Sequence, residues 1–163
     1  MLVAIINIFL NKMTLFLSTY VNRIDKKSRI TVPSSFRNVL ELNGLNGMVC
    51  YPVPNLASIE GCTFNRIKKI SDAIDSLGPF STERNLFSTS ILADSHQVGF
   101  DKEGRVIIPS ELLQSVGIID EIAFVGMGET FQMWNPTQFN AFKKETQQQS
   151  QEKLSKLQWS NDN

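Results

Sequence analysis

Two stretches of the chain set an acid and an arginine four residues apart with a lysine between them. They are Asp25-Lys26-Lys27-Ser28-Arg29 and Asp101-Lys102-Glu103-Gly104-Arg105. Aspartate at the head of a turn accepts hydrogen bonds from backbone N–H groups two residues on. Arginine offers a planar fork that fits a phosphate or the acceptor edge of guanine, and lysine offers a point charge for phosphate. Two readings of the pattern stand side by side. In one, the acid caps a tight turn and the arginine pairs with it across a hairpin, an exposed ion pair of small energetic weight. In the other, the turn projects its basic residues from the rim of a sheet toward a polyanion, and many weak contacts sum to useful affinity.

The elements that must position these turns repeat as well. Ile24 to Ser34 returns as Phe100 to Ser110, with Asp, Lys, Arg, Pro and Ser in register. Such self-similarity fixes architecture before any single residue has a role. Each copy reads as strand, turn, strand and short helix. Tyr20 to Asp25 enters the first turn and Arg29 to Val32 leaves it. Gly104 suits a positive φ in the second turn, where Ser28 fills the first less comfortably. Val32 and Ile108 precede prolines, which favours extended backbone, and Pro33 and Pro109 suit the start of a helix. Helices are expected over Ser34 to Leu42 and Ser110 to Val116. Strands follow over Met48 to Val53, Ala57 to Cys62, Glu121 to Val125 and Thr130 to Trp134. Later helices run from Phe64 to Leu77, with Ile67, Ile70, Ile74 and Leu77 on one face, over Ser81 to Ala93, and from Asn135-Pro136 with Phe139 and Phe142 inward. A unit of roughly 50 residues buries little apolar surface alone, so the copies are expected to pack on each other as one intertwined barrel.

Net charge is zero, with 16 basic and 16 acidic residues, so bulk charge selects no partner. Distribution says more. Tyr20 to Leu40 carries Arg23, Lys26, Lys27, Arg29 and Arg37 against Asp25, whereas Phe100 to Val116 carries Lys102 and Arg105 against Asp101, Glu103 and Glu111. The first copy therefore holds the basic surface, which can be a solvated face or a binding face. Cys50 and Cys62, with one histidine in the chain, cannot complete a four-ligand zinc site and are read as buried thiols. His96, the sole histidine, stands at a strand mouth without a nucleophile beside it, and no Gly-rich phosphate loop occurs. An enzyme is not expected.

At these residues the chain resembles the MraZ family of bacterial regulators, which carry two tandem AbrB-type (swapped-hairpin) halves. The match lies in Asp25 to Arg29 followed by Val32-Pro33 and Phe36-Arg37, and in Asp101 to Arg105 followed by Ile108-Pro109 and Leu112. Met48-Val49-Cys50 and Phe124-Val125-Gly126 also look like family segments, and the resemblance runs from about Met13 to Leu157. Ser28, where the family usually has glycine, and the acid Glu103 depart from its pattern. The resemblance implies an α+β fold, two swapped-hairpin halves forming a small β-barrel with flanking helices. Its divisions are an extension over 1–12, a first repeat over 17–63, linking helices over 64–94, a second repeat over 95–136, and a C-terminal helix and tail over 137–163.

The implied function is a sequence-specific, nucleoid-associated transcription regulator in the cytoplasm. The implied partner is double-stranded DNA, as short direct repeats in the promoter of its own cell-division and cell-wall gene cluster, which it represses. A ring-like homo-oligomer is implied too, with no cofactor, metal, membrane or small-molecule substrate. The DNA contacts would come from Arg23, Lys26, Lys27, Arg29, Arg37, Lys102 and Arg105, and the turns would be structured by Asp25, Asp101 and Gly104. Two alternatives remain: an antitoxin-like module that binds DNA and a protein, and a ring-forming scaffold without DNA. Residues 1–12 are apolar but too short to span a bilayer, and termini are tolerant of loss unless tied down. A chain starting at Met13 is expected to keep its oligomer size, thermal midpoint and promoter affinity. A fall of more than a few degrees in the midpoint would make the leader a structural element.

Overall fold

The first strand of each half pairs with the third strand of the other half, so neither half completes a sheet alone. A computed structural model describes residues 14–44 and 46–154; the extension over 1–12 and the tail residues Leu157 and Trp159 lie outside them. The first half contains β1 (Thr19–Arg23), β2 (Ile30–Thr31), α1 (Ser34–Leu42), β3 (Gly47–Pro52) and β4 (Ser58–Cys62). Next come α2 (Phe64–Asp75), α3 (Thr82–Phe87) and a π-helical turn over Ser88–Leu92. The second half contains β5 (His96–Gly99), β6 (Arg105–Val106), α4 (Ser110–Ser115), β7 (Glu121–Gly126), β8 (Phe131–Trp134) and α5 (Pro136–Lys153).

Six strands form one antiparallel sheet in the order β1-β7-β8-β4-β3-β5. β1 lies on β7 with Tyr20 opposite Phe124, β5 lies on β3 with Val98 opposite Met48, and β4 meets β8 at the centre with Ile59 opposite Met133. The expected barrel does not form. After the Asp–Arg turns, β2 and β6 leave the sheet and pair only with each other, Ile30 opposite Val106 and Thr31 opposite Arg105. β1 and β5 are thereby left as the two edges of an open sheet.

The ribbon of β2 and β6, with α1 and α4, covers one face of this sheet. Ile30, Val32, Val106 and Ile108 from the ribbon, Phe36 and Leu40 from α1, and Ile59, Phe124, Phe131 and Met133 from the sheet share the main core. The other face carries two smaller clusters. Val49, Tyr51 and Cys62 lie under Ile67, Ile70, Ile91 and Leu92, while Ala123, Val125 and Trp134 lie under Phe139 and Phe142. Cys50 belongs to the main core and Cys62 to the opposite face, and both are buried free thiols. Burial pushes each thiol up to about 12, so neither is a thiolate nucleophile near neutrality.

The helix expected over Ser81 to Ala93 divides into α3 and the π-turn. Ile91 and Leu92 dock on the sheet, while Leu86 and Phe87 stay exposed. The face expected on α2 holds for Ile67 and Ile74, which are buried; Leu77 lies past the helix end and is exposed.

Candidate nucleic-acid interface

The two turns are built alike. Asp25 Oδ1 accepts from the Lys27 and Arg29 backbone N–H groups at 2.8 and 2.9 Å, and Oδ2 accepts from Arg29 Nε at 2.7 Å. Asp101 Oδ1 accepts from the Glu103 and Arg105 N–H groups at 2.9 and 3.0 Å, and Oδ2 accepts from Arg105 Nε at 2.7 Å. The Asp25 and Asp101 N–H groups close the hairpins onto the Arg29 and Arg105 carbonyls at 3.0 and 2.9 Å. The Arg29 side chain, followed by the backbone donors, holds the Asp25 carboxyl down at about 2. Asp101 is lowered as well, chiefly by the Arg105 backbone N–H. The turn-structuring role expected of Asp25 and Asp101 is thus the geometry observed.

The turns differ at their outer edges. Arg29 Nη2 lies 2.6 Å from Asp25 Oδ2, so one carboxylate oxygen takes both nitrogens on one edge of the guanidinium. No hydrogen bond engages its Nη1 among the described residues. Arg105 is held twice: Nε by Asp101, and Nη2 by Glu103. These acids keep its guanidinium charged, raising its affinity for protons further. Lys26, Lys27 and Lys102 are exposed.

The third difference concerns Arg37. Sequence places it in the basic first copy, but its side chain reaches across to the second turn, where Nη1 donates to the Glu103 carbonyl at 3.2 Å. Gly104 adopts φ +73°, and a Cβ there would stand 1.5 Å from Arg37 Nη1. Gly104 therefore serves a left-handed turn and a close approach together. Arg23 also stands apart. It lies on the outward side of β1 beside Glu121 at 3.5 Å, in a hollow shared with Asn135 and Thr137. The structure thus groups Lys26, Lys27 and Arg29 at one turn, and Lys102, Arg105 and Arg37 at the other.

Ser28 occupies φ +59° in the first turn, a region that costs a side-chain-bearing residue about 1–2 kcal/mol. Gly104→Ala would incur that strain and also displace Arg37. A loss of about 1–2 kcal/mol, a few degrees in thermal midpoint for a chain of this size, is expected. An unchanged midpoint would show that the turn relaxes freely.

Two exposed residues on the ribbon, Thr31 and Ile107, escape motif reading because neither is charged. The signal available for them is the strict alternation with Ile30, Val32, Val106 and Ile108, all buried. Among the described residues no group of three metal-ligating side chains occurs, and no helix is long and apolar enough to cross a membrane.

Comparison with known proteins agrees with this arrangement. Residues 91–159 match the family model described as "MraZ protein, putative antitoxin-like". The chain is 46% identical over 145 residues to the transcriptional regulator MraZ of Pelagibacter ubique, covering 89% of this chain and 94% of that relative. It is 41% identical over 141 residues to the protein of the same name from Rickettsia canadensis, covering 86% and 95%. A third, from Rickettsia bellii, is 42% identical over 142 residues, also covering 86% and 95%. At this identity over nearly the full length of these relatives, the chain belongs to the MraZ family.

Proposed function

We propose that this chain is a DNA-binding transcription regulator whose first turn carries most of the phosphate contact. The observation that carries this reading is Arg29. Asp25 fixes one edge of its guanidinium, which removes rotamer freedom, and leaves the Nη1 end for a phosphate or guanine oxygen. Exposed Lys26 and Lys27 flank it. The relatives' name, transcriptional regulator, supports the same conclusion. The target is double-stranded DNA, as short direct repeats in the chain's own promoter, at which a nucleoid-associated homo-oligomer represses a cell-division and cell-wall gene cluster from the cytoplasm. Contacts from Arg23, Lys102, Arg105 and Arg37 are secondary.

A ring of subunits suits two open sheet edges and the exposed Phe80, Leu86 and Phe87, surfaces that favour association of like chains. Light scattering is expected to report an assembly larger than a dimer, and a monomer at micromolar concentration would remove the ring. A mobility-shift titration on the chain's own upstream DNA, repeated across salt concentrations, tests the regulator. Saturable binding with a steep salt dependence is expected. Absence of any shift would leave a scaffold without a nucleic-acid role.

A further inference from the structure

We propose that the solvent face of the β2–β6 ribbon reads base sequence in the DNA major groove, with Ile107 and Thr31 as the residues that contact thymine methyl groups. The inference rests on the regulator reading above and deepens it. Ribbon side chains alternate strictly. Ile30, Val32, Val106 and Ile108 are at most 1% exposed and belong to the core, whereas Ile107 is 60% exposed and Thr31 is exposed. Arg29 and Arg105 share the parity of these outward residues, so the outer face reads Arg29 and Thr31 on one strand, Arg105 and Ile107 on the other. Thr31 sits directly opposite Arg105. Its backbone is fixed as well, since Asn22 Nδ2 donates to the Thr31 carbonyl at 2.6 Å.

A two-stranded ribbon is narrow enough to enter the major groove, where thymine alone presents a methyl group and guanine presents paired acceptors. One isoleucine and one threonine methyl between two arginine turns form a face of that chemistry. The patch is far too small for a stable protein interface, which needs about 800 Å² from each partner. The turns and their lysines at both ends supply the phosphate contacts that set the ribbon's register, and such contacts carry no sequence information themselves. The outward Ile107 and Thr31 supply what the turns lack.

The test uses the full-length chain and its own upstream DNA prepared in two forms, one with thymine and one with deoxyuridine, which lacks only the methyl group. Wild-type protein is expected to bind the deoxyuridine form about fourfold more weakly, the equivalent of one buried methyl. Ile107→Ala and Thr31→Ser should each bind the thymine form more weakly, respond less to deoxyuridine, and keep the wild-type salt slope. Both positions are exposed, so the thermal midpoint should not move and folding is checked by it. If wild-type protein binds both DNAs equally, or if Ile107→Ala loses as much as wild type on deoxyuridine, the ribbon does not read these methyls. A wild-type chain that binds neither DNA would instead overturn the regulator reading, and this proposal with it.

Discussion

Arg29→Ala is expected to weaken promoter binding about tenfold, the value of one well-placed arginine fork, and to lower the salt slope by about one per DNA-bound chain. Arg105→Ala should cost less. The ground for this is the partner list of each guanidinium and not the charge of each copy. Arg29 is held by Asp25 alone, whereas Arg105 is held by Asp101 and Glu103. A phosphate approaching Arg105 must displace or repel Glu103. Arg37 softens the contrast, because it adds a cation to the second turn at the Glu103 carbonyl. Glu103→Ala should therefore strengthen binding, and Arg105→Ala should cost more in that background. Equal losses from Arg29→Ala and Arg105→Ala, with both proteins folded, would refute the asymmetry. The same pair sets a pH dependence. The folded Asp25 carboxyl is depressed to about 2 from an ordinary 3.8, so its support of the turn is complete above about pH 4 and fades as pH falls toward 2. A carboxyl NMR titration of Arg29→Ala should move the Asp25 midpoint up toward the ordinary value.

How much of this was legible in the sequence follows from what each signal encodes. The turns were legible because Asp, Arg, Pro and Gly each constrain backbone locally, and their spacing alone gives the hairpin that Asp25 and Arg29 close. Helix α1 was legible to its bounds, since Pro33 opens it and Phe36, Val39 and Leu40 mark one buried face. Closure was not. Whether four-stranded units make a barrel or an open sheet depends on which strands pair across the halves, and the exchange of β1 and β5 leaves no local trace. The reach of Arg37 was hidden for the same reason: it lies 66 residues from Glu103, and only the intertwining brings them together. The π-turn over Ser88–Leu92 reflects packing, because a regular helix there was the simplest reading of Leu86, Phe87, Ile91 and Leu92. Ile107 reads as one more apolar residue in a run until the ribbon's pairing shows which side faces water.

Phe36→Ala should be the most destabilising single change, at about 3–5 kcal/mol. Phe36 is fully buried and belongs to α1 of the first half. Its ring meets Phe131 at 5.1 Å and Phe124 at 6.3 Å, both from the second half, and it meets Phe16 at 5.3 Å and Tyr20 at 5.6 Å from the first. The edge-on approaches to Phe16, Tyr20 and Phe124 suit the ring quadrupoles and add to the burial. No smaller neighbour can fill the space, because the surrounding rings are fixed by strands β1, β7 and β8. The cavity left would lie where the two halves meet, so the loss should appear as a lower midpoint of one cooperative transition, roughly 10 °C for a chain of this size. Chain concentration must be held fixed, since association adds its own term. The same packing predicts that residues 95–154 alone will not fold, as β5 would lack β3 and β7 would lack β1. A second transition in Phe36→Ala, or a cooperatively folded isolated half, would show that the halves are separate domains. A loss below about 1 kcal/mol would show that the core collapses around the missing ring and that this cluster does not join them.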